Sequence, residues 1–275
     1  MIKKTLKTLW RVAMPASYWR HQLARLRAGQ HEPELRLLPA LADRQRRSVD
    51  VGAAGGSFVA HLYDISLDVL AFEPRPRQAA DLLAMSQALQ LPVSVETVAL
   101  SDRAGTARLR MLVHDLGRST IDAGNALDDP DGSPRAELQV PMKRLDDYAL
   151  QDLGLLKIDV EGHELAVLAG AQATLLRSRC PVLIETEDRH HAGATAAVFA
   201  WMAERGYAGF FLLDSRLTPV LAFDRALHQD ERHIGGWRDG WARRGIYVNN
   251  FIFVPQDRVA AFLAAAAGLG FAAAA

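Results

Sequence analysis

The 275-residue chain is 49% hydrophobic and 23% charged, the composition of a soluble globular protein with enough apolar material for one substantial core. Its 32 basic and 32 acidic side chains cancel, which leaves no global field to gather nucleic acid or acidic lipid, so no nucleic-acid partner is expected. A single cysteine, Cys180, excludes an intrachain disulfide and a multi-cysteine metal site, and no run approaches the ~20 apolar residues of a membrane span.

The start, Met1 to Lys7, is basic but lacks the apolar run and small-residue cleavage site of a signal peptide, so a cytoplasmic protein is expected. Ile2, Leu6, Leu9, Trp10 and Ala13 recur at helical spacing, with Lys3, Lys4, Lys7 and Arg11 on the remaining surface and Pro15 as the expected stop. A basic amphipathic helix of this kind packs on its own domain or a partner subunit, or makes peripheral contact with an anionic membrane. Leu23 to Leu41 reads as further helix, and residues 1–47 together as an N-terminal helical extension.

From Ser48 onward short apolar runs alternate with helical stretches, the signature of a parallel sheet with helices on both faces. The strands are Ser48 to Val51, Asp68 to Phe72, Val93 to Ala99, Leu155 to Asp159, Val182 to Glu185, Gly209 to Leu213 and Asn250 to Val254. Between Ala107 and Met142 the alternation lapses into two further strands, Arg108 to Val113 and Glu137 to Pro141, around a polar loop that is a candidate acceptor-binding element. Residues 257–275 form an alanine-rich helix or tail after a main domain of residues 48–256.

Two segments carry chemistry. The first, Val49 to Phe58, joins a buried strand to a helix through Gly52, Ala53, Ala54, Gly55 and Gly56, where small residues let backbone approach a ligand. Glu73 follows Gly52 by 21 residues at the end of the second strand, the place for a carboxylate that accepts ribose hydroxyl hydrogens. The dinucleotide pattern Gly-x-Gly-x-x-Gly fails at Ala54 and Ser57, while Asp50, two residues before Gly52, suits a cofactor that carries an ammonium and a sulfonium in place of phosphates. The second segment, Leu155 to Glu164, discharges Asp159, Glu161, His163 and Glu164 at the carboxyl edge of the sheet.

Together with Ala71-Phe72-Glu73-Pro74, Ala99-Leu100-Ser101-Asp102 and Asn249 to Pro255, these segments resemble the FkbM-type methyltransferases in the family's order, from about Val49 to Pro255. The resemblance implies a class I methyltransferase fold, a doubly wound, mostly parallel, seven-stranded α/β sheet. It implies S-adenosyl-L-methionine as donor and a hydroxyl on a sugar, glycan or secondary metabolite as acceptor. By position Asp50, Gly52, Ala53 and Gly56 would surround the methionine end, Glu73 the ribose, and Leu100 and Ser101 the adenine. Ala54 beside Gly55 departs from the family's usual asparagine and larger apolar residue.

Asp159, Glu161 and His163 are the catalytic candidates. His163, with an unperturbed pKa near neutrality, is the simplest proton acceptor, and Asp159 the residue for orienting the acceptor or the donor's ammonium. Asp159 and Glu185 end neighbouring strands, but convergence is not visible in a sequence, so no metal is assigned. His190 and His191 read as a solvated or acceptor-facing loop, and Trp237, Trp241, Arg238, Arg243 and Arg244 as a packed connection or a sugar-stacking surface. The alternatives are a nicotinamide-dependent oxidoreductase and a scaffold that kept the fold without turnover.

Overall fold

The computed structural model describes residues 2–28, 32–115, 117–129, 131–239 and 242–274. It opens with helices α1 (Ile2–Ala13) and α2 (Pro15–Ala28), and Pro15 starts the second helix, where its missing N–H is no loss. The helix expected from Leu23 to Leu41 is interrupted. α2 ends at Ala28, and a 3₁₀ turn (Pro33–Leu37) leads into the short α3 (Leu38–Leu41), since Pro33 disfavours helical backbone in the residue before it.

The chain then winds through β1 (Arg47–Val51), α4 (Val59–Leu62), β2 (Val69–Phe72), α5 (Pro76–Leu89) and β3 (Val93–Glu96). Strands β4 (Ala99–Leu100), β5 (Gly105–Leu112), β6 (Ser119–Thr120) and β7 (Arg135–Lys143) build a small separate sheet in the order β4-β7-β5-β6. The strand expected from Val93 to Ala99 is thereby divided between two sheets. The winding resumes with β8 (Leu153–Ile158), α6 (Glu164–Gly170), α7 (Gln172–Ser178), β9 (Val182–Glu185), α8 (Ala194–Ala203) and β10 (Tyr207–Leu213). It closes with β11 (Arg216–Pro219), α9 (Arg225–His228), β12 (Asn250–Pro255), α10 (Val259–Gly268) and β13 (Ala272–Ala273).

The main sheet runs β3-β2-β1-β8-β9-β12-β10-β11-β13, nine strands where seven were expected. The seven expected strands are contiguous within it. The two additions sit at one edge: Asp214 and Ser215, at φ 49° and 61°, fold β11 back on β10, and Gly270, at φ 89°, turns the chain from α10 into β13. Strands β3, β2, β1, β8 and β9 are parallel, and β12 lies antiparallel between β9 and β10.

Both faces are covered. Val49, Val51, Phe72, Leu156 and Ile184 pack with Val167, Leu168, Leu175, Val198 and Met202 of α6, α7 and α8. On the other face Val69, Ala71, Leu155, Leu183 and Ile252 pack with Trp19, Leu37, Leu38, Leu82 and Phe262, so the N-terminal segment and α10 share the core of the main domain. The carboxyl ends of β1, β2, β8 and β9 lie on one edge. Because the chain proceeds from β1 to β2 on one side and returns to β8 on the other, a crevice opens where open α/β sheets bind ligands.

Candidate active site

The turn after β1 is held by Gly52 and Ala53, whose N–H groups donate to the Phe72 carbonyl at 2.9 and 3.0 Å. Gly52 and Gly56 stand at φ 82° and 89°, and Ala54 at 48°. A Cβ on Gly52 would meet the Asp159 carbonyl oxygen at 1.8 Å, and one on Gly56 would meet Leu82 Cδ1 at 2.8 Å. Gly52 is thus required by the chain's own backbone and Gly56 by its positive φ, where the sequence had suggested close approach of a ligand. Gly55 faces open space, with no atom of the described residues beyond its chain neighbours within 4 Å of the corresponding position.

Glu73, only 1% exposed, accepts four N–H donors: Ala54 at 2.8 Å, the Arg75 backbone at 2.8 Å, Arg75 Nε at 2.7 Å and Arg75 Nη2 at 3.0 Å. A carboxylate has about four lone-pair positions, so Glu73 is saturated by its own chain. Arg75 is buried with it, an ion pair that sequence reasoning did not foresee.

Beside this turn the sheet carries a row of buried polar residues. Asp50 pairs in register with Lys157, and Asn250 with Glu185. Lys157 is fully buried, its Nζ 3.8 Å from Asp159 Oδ2 and 4.7 Å from the centre of the Phe58 ring. Burial works against its charge, but Asp159 and Glu185 outweigh burial and hold its pKa above the ordinary value. Burial pushes Asp50 up to about 7 despite Lys157, and Asp159 up to about 6. Glu185 is also raised, first by burial and then by Asp159. The start of the 3₁₀ turn adds Glu34, raised by burial to about 7, and Glu32 just before it. One lysine therefore faces more carboxylates than it can neutralise. Asp50 Oδ2, Glu32 Oε2 and Asn250 Oδ1 are buried without a hydrogen-bond partner among the described residues.

The chain after β8 turns through Glu161 and Gly162, at φ 53° and 98°, into α6. Glu161 lies 2.9 Å from His190 Nε2 and 3.9 Å from Arg118 Nε. Burial raises its pKa, but His190 and Arg189 prevail, so Glu161 is held ionised below the usual carboxylate range. His163 Nε2 is 2.9 Å from Ser101 Oγ, and its Nδ1 is 3.7 Å from Asp122 Oδ2. Burial lowers its pKa against the pull of Asp122, so the ring is neutral at pH 7. Glu187 receives two parallel bonds from Arg189, at 2.7 and 2.8 Å, and the Tyr247 hydroxyl also donates to it. Burial opposes the charge on Glu187, yet Arg189 brings its pKa down to about 2.

A cavity of about 730 Å³, within the ~300–1,000 Å³ typical of small-molecule sites, is lined by Gly52, Glu73, Leu100, Asp159, Glu161 and His163. Asp50, Ala53, Gly56 and Ser101 are set behind that wall, with Ser101 reaching it through His163. The two sequence segments thus meet across one space. Its other walls come from Glu32 and Glu34, from Arg118 to Ile121 beside β6, and from Glu185, Glu187, Arg189, Arg243 and Tyr247.

Glu187 and Arg189 were missed, although they follow a strand end as Asp159 and Glu161 do. His190, expected in a solvated or acceptor-facing loop, is buried against Glu161 and Glu187, while His191 is exposed. The two adjacent rings diverge. No group of three or more metal-ligating side chains converges among the described residues. Trp241 and the side chain of Trp237 lie outside the described residues, and Arg243 is directed to Tyr247 and Asn249, with Nη2 3.2 Å from Asn249 Oδ1.

A family model described as the methyltransferase FkbM domain matches residues 50–208. The chain is 30% identical over 189 residues to the 31-O-demethyl-FK506 methyltransferase FkbM of Streptomyces tacrolimicus, a match covering 58% of this chain and 71% of that protein. Among solved structures it is similar to methyltransferase FkbM from Methylobacillus flagellatus KT, at 14% identity and a TM-score of 0.47, over 77% of this chain and 44% of that one. It is also similar to an O-methyltransferase from Bacillus cereus in complex with SAH, at 11% identity and a TM-score of 0.44, over 92% of this chain and 98% of that one.

Proposed function

This chain belongs to the FkbM methyltransferase family, and from that premise we propose that it transfers a methyl group from S-adenosylmethionine to a hydroxyl of a sugar, glycan or secondary metabolite. The observation that carries the reading is the single cavity shared by the glycine turn, Glu73 and the Asp159–His163 segment, with carboxylates in excess along one wall. Such a wall favours a ligand that carries an ammonium and a sulfonium over one that carries phosphates. The name of the Streptomyces relative, which specifies an O-demethyl compound, supports an oxygen acceptor.

Gly52, Ala53 and Gly56 shape the turn around the donor's methionine portion, with Asp50 contributing its field from behind. Glu73 takes the ribose hydroxyls in exchange for a bond now made by Arg75. Leu100 flanks the adenine, and Ser101 backs it. Asp159 holds the ammonium, with Glu32 and Glu34 closing that side.

The donor brings a methyl carbon already activated on sulfur, so the protein's task is alignment, proton removal and exclusion of water. His163 is neutral and lines the cavity; with Nδ1 toward Asp122, its Nε2 takes the hydroxyl proton once Ser101 turns its own hydroxyl to Asp102 Oδ1, 3.1 Å away, and Asp122 favours the resulting imidazolium. Glu161, ion-paired with His190, is too weak a base for that task and orients the acceptor. Titration calorimetry with S-adenosylmethionine and with NAD tests the reading. Binding of the first without the second supports it, and the reverse would replace it with the oxidoreductase alternative. Donor binding without methylation across a broad hydroxyl panel would leave an inactive scaffold.

A further inference from the structure

We propose that α1 is an interfacial anchor that lies on an anionic lipid bilayer. Leu6 and Leu9 are each 59% exposed, Val12 76% and Met14 58%. Leu6, Leu9 and Ala13 share one helical face, the i, i+3, i+7 spacing of an apolar stripe. The helix is tied to the body along the flank of that stripe, through Trp10 and Arg11. Trp10 meets Tyr18 edge-on at 5.4 Å, and Arg11 bonds Asp81 at 2.6 Å and lies 4.8 Å over the Trp19 ring. Docking therefore leaves the stripe facing outward.

Charge selects the occupant. Lys3, Lys4, Lys7, Arg11, Arg20, Arg25 and Arg27 fall within α1 and α2, which contain no acidic residue, leaving 25 basic against 32 acidic residues in the remainder of the chain. Lys7, Arg20 and Arg25 are exposed. A negatively charged membrane surface attracts this end and repels the rest, while the stripe enters the headgroup boundary. At 12 residues α1 is too short to cross a bilayer, and an in-plane position suits its length. Nothing in this inference depends on the methyl-transfer reading.

Co-sedimentation of the full chain with vesicles is the test. Binding is expected with phosphatidylcholine mixed with phosphatidylglycerol, and not with phosphatidylcholine alone. Added salt should weaken it. The double variant Leu6→Glu/Leu9→Glu and the single variant Lys7→Glu should each lower the partition coefficient, about ten-fold or more for the double variant, with melting temperature unchanged. Recovery in the supernatant with both vesicle types would overturn the proposal, as would retained binding by the double variant. A concentration-dependent dimer that the double variant abolishes, in a chain that ignores vesicles, would assign the stripe to a second copy instead.

Discussion

The place of Glu73 at a strand end beside the glycine turn was legible from spacing, but its saturation by Arg75 was not, and that changes how its proposed ribose role must be tested. Removing the carboxylate by Glu73→Ala would break a buried ion pair, at a cost of about 3–5 kcal/mol in stability. Glu73→Gln keeps the shape and one acceptor oxygen. We expect it to weaken S-adenosylmethionine binding by about 1–3 kcal/mol in calorimetry with the chain still folded, and unchanged affinity would remove Glu73 from the ribose site. His163→Gln should leave donor affinity alone and lower kcat by roughly 10²- to 10⁴-fold. Equal loss of donor binding would make its role structural.

Glu34 offers a pH test with a defined sign. Burial lifts it from an ordinary 4.5 to about 7, so the folded state keeps a proton that the unfolded chain has released. Its contribution is complete below about 4.5 and is lost as pH rises through about 7. Glu34→Gln should therefore gain stability relative to the parent between pH 5 and pH 8, by up to about 3 kcal/mol in urea denaturation. A difference independent of pH would show that Glu34 is not protonated in the native state. The meeting of Glu161 with His190 was not readable, because the two residues come from successive strand ends and no spacing rule reports which side chains turn toward each other.

Among elements, the long strands and helices announced themselves by periodicity, and the parallel core of the sheet followed. Elements too short to have a period did not: β4 and β13 span two residues each, and their pairing is decided by the strands they meet. The glycine turn was legible as a turn, but the intrachain contact at Gly52 was not. Gly52→Ala should cost on the order of 3 kcal/mol or more, from positive φ together with collision with the Asp159 carbonyl. Gly55→Ala, in open space without positive φ, should stay within about 0.5 kcal/mol. Thermal melts of the two variants compare them directly, and similar losses would refute the packing account.

For the whole molecule, the boundary read at residue 47 does not separate an appendage from a domain. Leu37 and Leu38 are fully buried in the main core, and Glu32 and Glu34 line the cavity. Which sheet face the segment covers is long-range information that local patterning does not hold. A chain beginning at residue 48 should lose cooperative unfolding in calorimetry, whereas removal of residues 1–14 should preserve both the transition and donor binding. Retained cooperativity in the shorter chain would restore the extension to the status of an independent unit.

The contact between Gly52 and the Asp159 carbonyl has a consequence for how such a protein diversifies. It pins the two halves of the crevice together like a rivet, so neither can drift without dragging the other. On the proposed reading, new acceptor preferences would then arise elsewhere, in the cavity-lining stretches at 117–121 and 243–249, which can be exchanged while the riveted seam keeps its geometry.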